Sequence, residues 1–151
     1  FQVRPHSRGS VHAKSTDPSV PPSIEPNYLS EEPDRKLTLS GLRLIREVAA
    51  QPALAQFIKR ELLPGKDTSS DAQLLDYASA TGQTSWHPIG TCRMGSDSDA
   101  VVDPELRVRG VDGLRVADAS IMPTMVSTNT NAPSMLIGEK AADLIRQANS
   151  G

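Results

Sequence analysis

The sequence is short of the residue types that mark several classes of protein. Its 151 residues contain one Cys, three His and only 3% aromatic side chains. A single Cys cannot form an internal disulfide, and the few His show no metal-ligand spacing, so neither a disulfide framework nor a zinc site is expected. With 37% hydrophobic residues and 12 Pro, the chain predicts a thin core for its length.

Charge and hydropathy exclude further classes. The formal net charge of -2 and the pI near 5.9 provide no basic face for nucleic acid or anionic lipid. Apolar runs extend over only a few residues, so we predict no membrane-spanning helix and no signal sequence. We expect a cytoplasmic protein and leave open a membrane association of the full-length form. Because the chain begins with Phe1 rather than Met, we also expect it to be a piece of a longer polypeptide.

Motifs for nucleotide and cation binding are incomplete. Gly90 and Gly95 have the spacing of a phosphate-binding loop, but Ser96 and Asp97 follow where that loop needs Lys and then Ser or Thr. No G-x-G-x-x-G occurs, so the chain carries no dinucleotide fingerprint of its own. The acidic run that starts at Asp97 lacks the Gly and Glu of an EF-hand loop, which predicts a solvated loop and no metal site.

Hydrophobic periodicity predicts one strand and three helices in the first half of the chain. Alternating residues at 10–14 indicate a short, half-buried strand. Apolar residues at helical spacing indicate helices at 33–51, at 54–62 and at about 70–80. Asp34 is placed to cap the first of these helices. Ser70 and Gln73 have the spacing of a capping box for the third, and Gly82 is expected at its C′ position.

The second half of the chain predicts a hairpin and a terminal helix. Leu106 and Val108 alternate with arginines, and a Gly-containing turn at 110–113 leads into a short strand at 114–117. The last apolar pattern indicates a helix that has Thr130 or Asn131 as its N-cap and Pro133 in its first turn. Together with the first half, this predicts an α+β fold.

The segment around His87 holds residue types that are suited to chemistry. His87 lies between Trp86 and Pro88, and Cys92 follows five residues later. His87 and Cys92 could be a metal pair or a base and a thiol nucleophile. Zinc would need more ligands, however, and Pro88 and Gly90 separate the base from the thiol. The simpler interpretation of Cys92 is a small buried apolar residue.

Asn129 and Asn131 lie directly before the terminal helical pattern. A helix that begins near Asn131 presents backbone N–H groups and a partial positive charge, which stabilise an anion or an electron-rich ring. A neutral imidazole at His87 can accept a proton, and an Asn amide beside it can donate to the oxygen left behind. The alternative is a core histidine with satisfied hydrogen bonds and asparagines that only cap the helix. The residues alone leave both alternatives open.

Three stretches carry a resemblance to a known family: W-H-P-I-G-T-C-R-M-G from Trp86, V-D-P-E-L-R-V-R-G-V-D-G-L-R-V-A-D-A-S-I-M-P from Val102, and N-T-N-A-P-S-M-L-I-G-E-K from Asn129. They resemble the C-terminal part of the glucose-methanol-choline (GMC) oxidoreductases, in particular the choline-dehydrogenase-like branch. Residues 4–18 and 26–29 are similar to the substrate-domain region of the same family. The resemblance covers nearly the whole chain in order.

The resemblance implies a flavoprotein that oxidises a small-molecule alcohol to an aldehyde or ketone by hydride transfer to N5 of FAD. It implies that His87 is the base, or the group that orients the substrate hydroxyl, and that Asn129 hydrogen-bonds the substrate oxygen. Contacts with the cofactor are implied for Asp118, Ala119, Asn131, Ala132 and Pro133. The alcohol and the electron acceptor stay open.

The resemblance also implies a domain organisation. The Gly-rich FAD motif of the family is missing, so the chain resembles the last quarter to third of such an enzyme, and the N-terminal FAD-binding part of the same protein is its expected partner. Residues 1–83 would belong to a substrate domain with a sheet and flanking helices. Residues 84–113 would form the active-site segment and hairpin, and 114–151 the last strand and helix of a Rossmann-like FAD-binding domain. The alternative function is a non-enzymatic folded module that binds a partner.

Overall fold

Helices make up most of the regular structure in the computed structural model, which describes residues 3–150. The elements are β1 (Ser10–His12), β2 (Ser23–Glu25), α1 (Glu32–Ala49), α2 (Pro52–Ala55), α3 (Asp71–Thr81) and α4 (Asn131–Ala148). The chain divides into two units, Phe1–Gln83 and Thr84–Gly151. Among the residues described, no helix has both the length and the apolar character needed to cross a membrane.

A small antiparallel sheet lies near the start of the first unit. β1 pairs with β2, with Ser10 opposite Glu25 and His12 opposite Ser23. The strand predicted at 10–14 is therefore present, although it ends at His12. The prediction that it is half-buried was wrong, since β1 is exposed throughout. A sheet of two three-residue strands is too small to bury the side chains of its own strands.

The start of α1 differs from the prediction at Asp34. The N-cap is Glu31, whereas Asp34 lies inside the helix and is only 2% exposed. Its carboxylate accepts hydrogen bonds from the backbone N–H groups of His6 and Ser7, at 2.9 and 2.7 Å, and from the Ser7 hydroxyl at 2.5 Å. Asp34 therefore fastens the N-terminal segment to the first turn of α1 instead of capping the helix.

The second predicted helix was too long. α2 ends at Ala55, and the predicted continuation to Leu62 is irregular. Phe57 is 78% exposed and Leu62 is 71% exposed. Because a short helix in water depends on burying an apolar face, a second turn here lacks the packing that would stabilise it.

The third helix begins as predicted and ends differently. The side chain of Ser70 accepts from the backbone N–H of Gln73, and the Gln73 side chain accepts from the N–H of Ser70, so the capping box is confirmed. Gly82 follows the helix but has φ -62°, which is not the left-handed conformation of a C′ glycine. A Cβ at Gly82 would lie 2.5 Å from the carbonyl oxygen of Ala78, so close approach of the backbone explains the glycine.

An apolar core lies among the described residues of the second unit. Its buried members are Val102, Leu106, Ile121 and Ala141, and half-buried side chains from α4 and from 94–116 pack against them. The predicted alternation is confirmed, since Leu106 is buried and Val108 half-buried, while Arg107 is exposed.

The predicted strand at 114–117 is reduced to a single bridge between Arg107 and Arg115. Two backbone hydrogen bonds flank this bridge, from Val108 to Leu114 and from Val116 to Leu106. Pairing on one edge over so few residues does not build a regular strand in the part of the chain that is described. Its assignment to a Rossmann-like sheet stays a prediction.

Candidate active site

The imidazole of His87 is hydrogen-bonded to the residue that precedes α4. Nδ1 of His87 lies 3.1 Å from Oγ1 of Thr130, across 43 positions of the chain. Thr130 is the N-cap residue of α4 and is 9% exposed, while His87 is half-buried. The start of α4 therefore holds the ring of His87 in place.

The backbone turns sharply just before His87. Trp86 has φ +55°, a left-handed conformation that is rare for a bulky aromatic residue. Its N–H donates to Oγ1 of Thr84 at 3.1 Å, and its side chain is 76% exposed. Strained conformations of this kind concentrate at functional sites. Sequence reasoning missed this feature, because nothing about Trp indicates a positive φ.

The segment that follows His87 runs beside the turn at Ala119–Ile121. The backbone N–H of Cys92 donates to the carbonyl of Ser120 at 3.0 Å, and that of Met94 donates to Ile121 at 2.8 Å. Gly90, with φ +84°, supplies the left-handed residue that lets the chain enter this pairing. Cys92 is half-buried in the pairing, which favours a packing role for its side chain.

Asp118 caps the 3-10 turn formed by Ala119–Ile121. Its Oδ1 accepts from the backbone N–H of Ser120 at 2.7 Å. Hydrogen bonds from the side chain and backbone of Ser120 lower the pKa of the Asp118 carboxyl below its ordinary value. The ionised carboxylate suits contact with a hydroxyl or N–H of a cofactor, and Ala119 lies next to it, half-buried.

The N-terminus of α4 is open to a ligand. Its N-cap residue, Thr130, makes no capping hydrogen bond with its side chain, and its first turn contains no acidic residue. Asn131 and Ala132 are exposed, and Pro133 is half-buried. The partial positive charge of this 18-residue helix is therefore not neutralised by a local carboxylate, which suits the electron-rich edge of a flavin.

The predicted site residues fall into two groups in the structure. Thr130 brings His87 to the α4 start, and Asn129 is exposed one residue away, with its Cα about 3.8 Å from that of Thr130. The pairing of 92–94 with 120–121 brings Asp118 and Ala119 beside the segment that follows His87. No hydrogen bond joins Asn129 to His87 in residues 3–150. The described residues also contain no cluster of His, Cys, Asp and Glu that could hold a metal ion.

Comparison with known proteins then decides the family. The family model described as GMC oxidoreductase matches residues 5–138. This chain belongs to the GMC oxidoreductase family. The predicted family is thereby confirmed.

Curated relatives extend the match. The chain is 52% identical over 147 residues to an uncharacterised GMC-type oxidoreductase of Mycobacterium bovis, covering 95% of this chain and 28% of that protein. It is 48% identical over 149 residues to choline oxidase of Arthrobacter globiformis, covering 96% of this chain and 27% of the relative. It is 45% identical to an alcohol dehydrogenase [acceptor] of Pseudomonas putida, covering 93% and 26%. The chain thus spans about a quarter of the length of these relatives, as predicted for a piece of a longer GMC oxidoreductase.

Solved structures agree. Pyridoxine 4-oxidase from Mesorbium loti matches with a TM-score of 0.90 and 38% identity, over 96% of this chain and 28% of that one. An FAD-dependent oxidoreductase from Chaetomium thermophilum matches with a TM-score of 0.90 and 29% identity, over 97% and 26%. The second structure is named as an FAD-dependent enzyme. The prediction that the cofactor of the family is FAD is therefore confirmed.

Proposed function

We propose that this chain is part of an FAD-dependent GMC oxidoreductase that converts a small-molecule alcohol into an aldehyde or ketone. The supporting observation is that the half-buried ring of His87 is held at the open N-terminus of α4 by Thr130. Choline oxidase and the alcohol dehydrogenase among the relatives support a CH–OH donor. A proton acceptor beside an uncapped helix start matches the needs of such a reaction.

The cofactor would be held by the turn at Asp118 and Ala119 and by the first turn of α4, at Asn131, Ala132 and Pro133. When bound, FAD supplies the acceptor for the hydride that leaves the carbinol carbon. The amides of the α4 N-terminus stabilise negative charge placed near them, because no acidic side chain of the first turn competes. The FAD-binding part of the same protein is the partner that would complete this site.

His87 and Asn129 would act on the substrate oxygen. His87 accepts the proton of the hydroxyl, and the amide of Asn129 donates a hydrogen bond to the same oxygen. Loss of that proton to the imidazole, and of the hydride from the adjacent carbon, leaves the carbonyl product. Each group has a defined task, so their replacements have different expected effects.

The test of this function is His87→Ala in the full-length enzyme, with an artificial electron acceptor and a panel of alcohols. We expect turnover to fall by roughly a hundred- to ten-thousandfold, the range of general acid–base catalysis, while the flavin absorbance stays. His12→Ala is the matched control, because His12 is an exposed residue of β1. A His87→Ala enzyme that turns over at the wild-type rate would remove His87 from the mechanism.

A further inference from the structure

Thr130 occupies the N-cap position of α4 but does not cap the helix. A threonine at this position ordinarily adopts extended backbone angles and accepts a hydrogen bond from the N–H of the second or third helical residue. Thr130 instead has φ -78° and ψ -3°, and its side chain makes no capping hydrogen bond. Its hydroxyl lies 3.1 Å from Nδ1 of His87. The side chain that would ordinarily stabilise the helix start is directed to the imidazole.

A second contact holds Thr130 in this conformation. The carbonyl oxygen of Thr130 accepts from the backbone N–H of Ser134 at 3.0 Å and from the Ser134 hydroxyl at 2.7 Å. Because Thr130 is also buried, its side chain has little freedom to leave the ring. The hydroxyl of Thr130 therefore makes the hydrogen bond to His87 from a fixed position.

This contact decides which nitrogen of His87 is available. Thr130 engages Nδ1, so Nε2 is the nitrogen left to meet a ligand. Nε2 can accept a proton only if Nδ1 carries the hydrogen of the neutral ring, and a hydroxyl oxygen accepts a hydrogen bond from that N–H. After Nε2 is protonated, Nδ1 still carries its hydrogen, and the same hydroxyl oxygen still accepts it. One hydroxyl thus serves the ring before and after proton transfer.

We propose that Thr130 is a positioning residue that fixes the orientation and the tautomer of His87, with the hydrogen on Nδ1 and the lone pair on Nε2. The catalytic consequence rests on the proposed function. So does the choice of tautomer, because the 3.1 Å contact allows the hydroxyl to donate or to accept, and the hydrogen is placed on Nδ1 so that Nε2 can act as the base. The tautomer can still be measured in this chain without cofactor or substrate.

The first experiment is 15N NMR of the imidazoles in the 151-residue chain, at a pH where they are neutral. In the wild type we expect a protonated, pyrrole-type Nδ1 and an unprotonated, pyridine-type Nε2 at His87. In Thr130→Val we expect a shift towards the Nε2–H tautomer that free histidine prefers in water, and in Thr130→Ser we expect the wild-type pattern. His6 and His12 provide internal references, and Thr124→Val is the control because Thr124 is exposed.

The outcomes separate the alternatives. An Nε2–H tautomer at His87 in the wild type overturns the proposal, whether or not Thr130→Val folds. So does an unchanged tautomer in a folded Thr130→Val chain, with folding checked by circular dichroism.

The second experiment uses the full-length enzyme. Thr130→Val is expected to lower kcat by about 10- to 100-fold with little change in KM or flavin content, by analogy with residues that orient metal-binding histidines. Thr130→Ser, which keeps a hydroxyl at this position, is expected to retain most of the wild-type kcat. An effect on KM alone contradicts a positioning role.

If His87→Ala proves harmless while the tautomer still depends on Thr130, the proposed function fails and the positioning of the ring stands. If His87→Ala abolishes turnover but Thr130→Val changes neither tautomer nor kcat, only the role of Thr130 fails.

Discussion

The backbone N–H of Met94 donates to the carbonyl oxygen of Ile121 at 2.8 Å, and this bond ties the segment that follows His87 to the turn capped by Asp118. Ile121 is buried in the core of the second unit. The predicted base and the predicted cofactor contacts are therefore carried on neighbouring segments anchored by one core. Substitutions that loosen this core are expected to disturb both groups together.

Asn129 is predicted to donate to the substrate oxygen. In the full-length enzyme, Asn129→Ala is expected to lower kcat by about a hundred- to a thousandfold, the cost of removing one hydrogen-bond donor from a developing negative charge. Asn129→His is expected to retain part of the activity, since an imidazole N–H also donates. Asn149→Ala, at the far end of α4, is the matched control. Wild-type kinetics for Asn129→Ala would contradict the assignment.

FAD retention is expected to distinguish this chain from the full-length enzyme. The chain contains no G-x-G-x-x-G motif and spans about a quarter of the length of its relatives, so we expect it to release FAD. After mixing with FAD and gel filtration, the 151-residue chain should show no flavin absorbance and no alcohol oxidation. The full-length enzyme, treated in the same way, should keep its flavin. A yellow, active preparation of the chain alone would overturn this prediction.

Asp34 is predicted to make folding stability depend on acid pH. Burial by itself raises the pKa of this carboxyl, but hydrogen bonds from His6 and Ser7 bind the ionised form and lower the pKa overall below 3.8. Because the folded-state pKa lies below the unfolded value, the stabilisation is complete above the unfolded pKa. It is lost as the pH falls through the folded pKa.

The variant Asp34→Asn tests this pH dependence of stability. The variant should be less stable at neutral pH by roughly 1–3 kcal/mol, since the N–H donors lose their charged acceptor. It should also lose less stability than the wild type on acidification below about pH 4. Urea unfolding at a series of pH values measures both effects, with Asp112→Asn as an exposed control. Other aspartates also have lowered pKa values, so equal slopes for wild type and Asp34→Asn would exclude Asp34 as the source.

The capping box of α3 is predicted to contribute measurable stability. Ser70→Ala removes the side chain that accepts from the N–H of Gln73 and should cost about 1 kcal/mol in the free energy of unfolding. Ser69→Ala is the matched control, because Ser69 uses its backbone N–H, and not its hydroxyl, to contact Gln73. Urea unfolding of the two variants at neutral pH gives the comparison. Equal midpoints and slopes for both would contradict a role for the cap.

Some features could be predicted because they depend on neighbours in the chain. The capping box at Ser70 follows from local hydrogen bonding, the start of α4 at Asn131 follows from the local apolar pattern and Pro133, and both are confirmed. The family motifs around His87 and Asn129 are also local. By contrast, the prediction for Asp34 was wrong because its donors, His6 and Ser7, lie more than 25 positions away.

The sequence alone determined the family resemblance, the starts of α3 and α4 and the residue types available for chemistry, because each depends on short stretches of consecutive residues. Only the tertiary structure decided that the hydroxyl of Thr130 turns from its own helix to His87, and that Trp86 takes a left-handed conformation. The physical reason is that a hydroxyl can form hydrogen bonds of similar strength with several partners. Packing decides which of these partners lies within about 3 Å. For Thr130 that partner lies 43 positions away, beyond the reach of any local pattern.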